Sequence, residues 1–204
     1  MSPPVAGEPF AMDPSAFPAA SPALLHLLAA LTRDEDDTGP FERLQGQRLM
    51  LLAVCALLDS LADACQPLQQ RMAASLASYL QTDFPAMIAE EEDGLLPLLR
   101  ARLLLGDDFD QVLRQMDEEH RLDRRQAALL AADCEALAGG LLPDEAAVLF
   151  SACRAFAEQQ RRHLAWEDAT VLPLARSRLT AADLAQWNRR ARARRKPRTA
   201  APGA

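Results

Sequence analysis

The run HLAWEDATVLPLARSRL (163–179) decides how this chain reads. His163 and Glu167 stand four residues apart, so on a helix both side chains project from one face. An imidazole and a carboxylate placed that way can serve one metal ion. Pro173 lies just beyond and is expected to kink or break the helix, because proline removes a backbone donor. From Glu167 onward the segment EDATVLPLARSRL aligns without gaps with EEDGLLPLLRARL at 91–103, an offset of 76 residues. Glu91 then meets Glu167, Leu96 meets Leu172, Pro97 meets Pro173, Arg100 meets Arg176 and Arg102 meets Arg178. A duplicated helix pair explains this better than a chance likeness of two Leu- and Arg-rich helices. It predicts a bundle with approximate two-fold symmetry and facing sites.

Outward from that run, four long helical patterns lie at about 41–66, 68–105, 107–138 and 144–178. Their breaks fall at Pro67, at Gly106-Asp107-Asp108, and from Gly139-Gly140 through Pro143. A short helix is expected at about 23–33, where Leu24, Leu27, Leu28 and Leu31 share a face. The stretch DEDDTGP (34–40) reads as a loop. A last helix starts at Thr180, where TAAD forms a capping box, and runs into a basic C-terminal segment. Ala and Leu dominate and aromatics are only 5%, which favours helices over strands. The expected fold is all-α, an up-down-up-down antiparallel four-helix bundle with short extra helices at the N- and C-terminal ends. Residues 1–22, with six of the fourteen prolines, read as an extended tail, 23–188 as the bundle domain, and 189–204 as a basic tail.

The 204 residues are half hydrophobic and a quarter charged, enough to bury a sizeable core. The net charge of −7 is uneven: residues 189–198 (RRARARRKPR) hold seven basic groups and no acid, leaving 15 basic against 29 acidic residues elsewhere. Such a tail can attract nucleic acid, but it has no interleaved aromatics and the acidic body repels phosphate, so nucleic acid is not an expected partner. Cys55, Cys65, Cys134 and Cys153 are widely spaced among apolar residues, which argues against zinc fingers and a disulfide scaffold. The longest strongly apolar uncharged run, Leu49–Leu58, is ten residues, well short of the roughly 20 that cross a bilayer. With no secretory signal evident, a cytoplasmic location and no membrane partner are expected. No GxSxG, no Cys near His in motif spacing and no phosphate-binding glycine loop occurs. Hydrolase and kinase chemistry are not expected, and no catalytic residue is assigned.

Only three histidines exist, His26, His120 and His163. His120 lies on the preceding long helix, in MDEEHRLD, and inward-facing histidines and carboxylates on neighbouring helices are how bundles build metal sites. The duplication asks for a second HxxxE pair at 87 and 91; Glu91 is there, but position 87 is Met87. Asp117, three residues before His120, forms a DxxH close to the ExxH of ferritin-like bundles. That class wants further ligands, however, and position 160 is Gln160.

The runs FPAMIAEEEDGLLPLLRARL and RHLAWEDATVLPLARSRLTAADLAQW together resemble the bacterial hemerythrin-like, or HHE cation-binding, domain, over about residues 41–190. In that family helices two and four end in His-xxx-Glu before a Leu-Phe-Pro or Leu-Leu-Pro turn, and helices one and three add one histidine each. The resemblance assigns His163 and Glu167 to the fourth-helix ligands, His120 to the third-helix histidine, and Glu91 to the bridging carboxylate of helix two, with Glu90 and Glu92 leaving that register open. Met87 stands where the second-helix histidine belongs, and the first-helix histidine is missing near Arg48. The family's usual two-iron centre, and reversible oxygen binding between two irons, are therefore not expected.

Two readings follow. One is a degenerate site holding a single iron, with Mn or Zn also suited, on His120, His163, Glu167 and Glu91, in binding or sensing of oxygen, nitric oxide or metal. The other is a metal-free interaction or scaffold bundle for an unspecified protein partner. In it Arg48 pairs with Glu91 and Glu167 in place of the lost metal charge, and Met87 fills the vacated volume.

Overall fold

The computed structural model describes residues 38–107, 109–140 and 146–195. The expected tail at 1–22, the short helix at 23–33, His26 and residues 196–204 lie outside them. Helix α1 (Pro40–Ser60) ends in a 3₁₀ turn, Leu61–Asp63. The second rod is segmented: α2 (Gln66–Gln81), α3 (Asp83–Glu90), a π turn (Glu91–Leu95) and α4 (Leu96–Arg100). The third is α5 (Asp110–Ala138); the fourth is α6 (Ala146–Ala169) with α7 (Val171–Arg178), followed by α8 (Ala181–Arg195). No strand occurs among the described residues.

The helix boundaries follow local chemistry. Pro40 and Pro67 sit in the first turns of α1 and α2, where a missing N–H costs nothing. Gly106 (φ 102°) and Gly140 (φ 83°) turn the chain in the left-handed region that glycine enters without a Cβ penalty. The TAAD box closes as expected. The Thr180 N–H donates to Asp183 Oδ2 at 2.9 Å, and the Asp183 N–H approaches Thr180 Oγ1 at 3.3 Å. Helix α8 then continues through Arg195, into the segment that reads as a basic tail.

The rods pack as two close pairs, α1 on α6 and α2 on α5. The second pair is antiparallel: Gln81 bonds Glu135 and, eleven residues further, Glu92 bonds Arg124, eleven residues back. The first is antiparallel too, since Arg48 pairs with Glu167 near one end and Asp59 with Arg161 further along. Helix α1 is apolar on most sides; Leu51, Ala53, Val54, Cys55, Leu57 and Leu58 are all buried, the pattern of a helix surrounded by core. The stretch Pro40–Asp63 is the one described helical run long and apolar enough to cross a membrane, but its buried Arg43 and Arg48 are tied to carboxylates of neighbouring helices.

Two apolar clusters fill the bundle. One joins α1, α2, α3, α5 and α6 around Leu51, Leu57, Leu76, Phe84 and Phe156. The other gathers Leu44, Leu95, Leu99, Met116, Val171 and Trp187. Along each rod the change from one cluster to the other falls at the polar residues. Arg48 separates Leu44 from Met50, Glu90 and Glu91 separate Ile88 from Leu95, His120 and Asp123 separate Met116 from Ala127, and Glu167 separates Leu164 from Val171.

Candidate metal centre

That layer contains Arg43, Arg48, Glu90, Glu91, His120, Asp123, Gln160, His163 and Glu167, every one buried. Charged side chains are almost never buried without partners, so each partner carries information. Glu91, His120, His163 and Glu167 each offer a ligand atom, and these atoms lie within 4.8 Å of one another. All four residues proposed as ligands from the sequence thus meet at one point. The imidazole centroids are 5.4 Å apart, His120 Nε2 is 3.3 Å from Glu91 Oε2, and His163 Nε2 is 3.3 Å from Glu167 Oε1.

The opposite nitrogens are held from behind. His163 Nδ1 lies 2.6 Å from Glu119 Oε2, and His120 Nδ1 lies 3.3 Å from Glu92 Oε1. Ionised carboxylates only accept, so both Nδ1 atoms carry the proton and donate. In the neutral ring this leaves the Nε2 lone pair turned to the cluster, the tautomer a metal-binding histidine adopts. Glu92 is itself clamped by Arg124, whose Nη1 donates to Oε1 at 2.9 Å while Nη2 pairs with Oε2.

His120 Nε2 and Glu91 Oε2 are both fully buried and have only each other, at 3.3 Å and without a well-aligned hydrogen bond. Buried polar atoms without partners are uncommon and costly. A soft-to-borderline divalent ion would satisfy both at once, and a two-imidazole, two-carboxylate set suits Fe(II), Mn(II) or Zn(II). The residues present fit such a group.

The electrostatics agree. Burial and the neighbouring Glu167 push the Glu91 carboxyl up. Burial also acts to raise Glu167, but the His163 hydrogen bond and Arg48 outweigh it and hold Glu167 down. For His163, burial opposes the charge, yet Glu167 and Glu119 prevail and raise it to about 9. His120 is likewise raised, by Glu91 against its burial. Without an ion, the carboxylates are balanced by protons on the rings and by one arginine.

Arg48, 3% exposed, donates from Nη1 to Glu167 Oε2 and from Nη2 to the Leu164 carbonyl at 2.6 Å, and lies 2.9 Å from Asp168 Oδ1. The expectation that it pairs with both Glu91 and Glu167 is corrected in part: its second carboxylate is Asp168. The reason is packing. Helix α1 lies on α6, so the guanidinium runs along α6, and Glu91 feels it only as a nearby charge. Met87 is buried in the first apolar cluster.

The three consecutive glutamates part company. Glu90 turns to Arg43, whose Nε donates to it at 2.6 Å, Glu91 turns to the cluster, and Glu92 turns to His120 and Arg124. The π turn permits this, with the Leu96 N–H reaching back five residues to the Glu91 carbonyl. Pro97 has no N–H to offer, so the α ladder fails here, and π turns cluster at functional sites. The second half breaks at the matching place: α6 stops at Ala169, and the Thr170 N–H is shared between the Trp166 and Glu167 carbonyls at 3.0 and 3.3 Å.

Glu119, Arg124, Arg43 and Asp123 escaped the sequence reading; on acidic, basic-laced helices they look like a solvated face. Asp123 is raised by burial and accepts from Gln159 at 2.5 Å. A cavity of about 350 Å³, lined by Gln115, Glu119, Gln159, Arg162, His163 and Trp166, opens beside the cluster.

No curated protein and no solved structure matches this chain. Comparison with protein families matches residues 40–175, two thirds of the sequence, to the hemerythrin HHE cation binding domain. The chain belongs to that family.

Proposed function

We propose that the protein binds one divalent transition-metal ion, iron foremost, between Glu91, His120, His163 and Glu167, and that Arg48 supplies a fixed positive charge in place of a second ion. The supporting observation is the four-ligand cluster, in which His120 Nε2 and Glu91 Oε2 are buried with only their 3.3 Å contact to each other. Arg48 is compatible with the ion, because it occupies Glu167 Oε2 while Oε1 faces the cluster. When bound, the ion would supply a Lewis-acid and redox centre held by these four residues. Oxygen or nitric oxide is the small ligand proposed for it; the adjoining cavity reaches His163 and the Glu119 behind it, not the other three ligands. The role is binding or sensing. The four cysteines are free, which suits the reducing cytoplasm. Arg190 and Arg194 turn to Asp93, so no nucleic-acid role is proposed.

The metal-free reading keeps one specific observation in its favour, the Arg48–Glu167 bond across the α1–α6 pair. Metal analysis of untagged protein loaded anaerobically with Fe(II) separates the two. One equivalent, lost in His120→Ala/His163→Ala, is expected. Fewer than about 0.2 equivalents would favour the metal-free bundle, since a preformed site of this kind binds tightly.

A further inference from the structure

Helix α8 lies beyond the family match at 40–175 and contributes none of the four ligands, yet it packs on the π turn that carries Glu91. Three contacts join them. A Cβ on Gly94 would stand 2.6 Å from the ring of Trp187; only glycine lets the indole, 0% exposed, lie so close. The Trp187 Nε1 makes no hydrogen bond, so packing alone seats it.

The second contact is made to the backbone carbonyl of Asp93, inside the π turn. Arg190 Nη1 donates to that oxygen at 2.8 Å. Third, Arg43 bridges the two segments. Its Nε donates to Glu90 Oε1 at 2.6 Å and its Nη1 to Asn188 Oδ1 at 2.8 Å, with Arg43 and Glu90 both buried. Residues 90, 93 and 94 are thus each gripped by α8 or through it, and Glu91 lies between them.

We propose that α8 is a positioning element for the metal centre: Trp187 and Arg190 hold the π turn in the register that sends Glu91 inward, and so set metal affinity from a helix outside the ligand set. A π turn carries one residue more than an α turn over the same rise. Release of the turn would let the ladder shift and swing Glu90 or Glu92 toward the place of Glu91. The inference rests on the metal-binding reading of the preceding section, and its test separates the two.

Full-length protein and the variants Arg190→Gln, Arg190→Lys and Trp187→Leu are compared in two measurements. One is Fe(II) affinity, by anaerobic titration against a competing chelator; the other is amide hydrogen exchange at residues 91–96. Arg190→Gln and Trp187→Leu are expected to weaken Fe(II) binding roughly tenfold and to speed exchange at 91–96 by about the same factor. Exchange at residues 126–138 stays unchanged. Arg190→Lys, whose side chain is long enough to bring a donor to the Asp93 carbonyl where the shorter Gln is not, restores much of both. If Trp187→Leu fails to fold, the Arg190 pair decides. Faster exchange with unaltered Fe(II) affinity overturns the proposal, as does no change in either. A wild-type chain that takes no Fe(II) overturns the metal reading instead; faster exchange in the variants then still supports the hold of α8 on the turn.

Discussion

The two halves related by the 76-residue offset share a frame and differ in its contents. In each, a ligand glutamate is followed by a second carboxylate that pairs with an arginine on the packed helix. Glu91 is followed by Glu92, which binds Arg124, and Glu167 is followed by Asp168, which binds Arg48. The offset of 76 that relates the glutamates also relates the two arginines. By the same offset His120 corresponds to Leu44 and His163 to Met87. By that offset Arg48 is the counterpart of Arg124, and the first-helix residue that answers His120 is Leu44, one turn from the Arg48 position expected from the sequence. What separates the halves is burial. Arg124 is 38% exposed and only clamps Glu92, whereas Arg48 is 3% exposed and reaches past Asp168 to Glu167 itself. One half keeps its imidazoles; the other has two apolar side chains and an inward-turned guanidinium.

The largest effect expected is a change in the number of ions. Leu44→His with Met87→His should raise Fe(II) content from one equivalent to two, read by metal analysis on protein with an unchanged helical circular dichroism spectrum. Arg48→His with Met87→His should not. Success of the second pair alone would move the vacancy back to Arg48.

Next is the arginine. Arg48→Met leaves Glu167 buried without its guanidinium, and removal of one partner of a buried pair costs about 3–5 kcal/mol. Urea denaturation of chelator-treated protein should show that loss, with part of it recovered when Fe(II) is present. An unchanged midpoint would strip Arg48 of its role as a charge substitute.

A third test is pH. In the metal-free protein the His163 imidazolium, raised from the ordinary 6.5 to about 9, lends stability fully present below pH 6.5. That stability is lost as pH climbs through 9, and it amounts to at most about 3 kcal/mol. Denaturation midpoints should fall across that window, and fall less in His163→Gln, where His120 is the one raised imidazole left in the cluster. A midpoint that rises from pH 6.5 to 9 would contradict the assigned partners. The smallest effect lies behind the ligands: Glu119→Gln is expected to weaken Fe(II) binding about 10–100-fold with one equivalent still bound.

Much of this frame was legible in the sequence, and for physical reasons. One helix start was written in Pro67 and one helix end in Gly139 and Gly140, and the His163–Glu167 pair in the i, i+4 rule; the second rod, expected to run to residue 105, instead stops at Arg100, six residues before Gly106. Which of Glu90, Glu91 and Glu92 faces inward was not legible. The π turn shifts the helical phase within those residues, and a period of 3.6 cannot anticipate it. Nor could spacing show that Arg48 takes Asp168 in place of Glu91, which depends on α1 lying on α6. Glu119 and the seat of Trp187 on Gly94 join residues 44 and 93 positions apart with no local pattern to mark them.

The asymmetry of the two halves is tested most directly by anomalous diffraction from crystals of the full chain loaded with Fe(II). The expected map has a single iron peak within bonding distance of His120 Nε2 and His163 Nε2, flanked by Glu91 and Glu167, with the Arg48 guanidinium still on Glu167. Two peaks, or none between the imidazoles, would contradict the account.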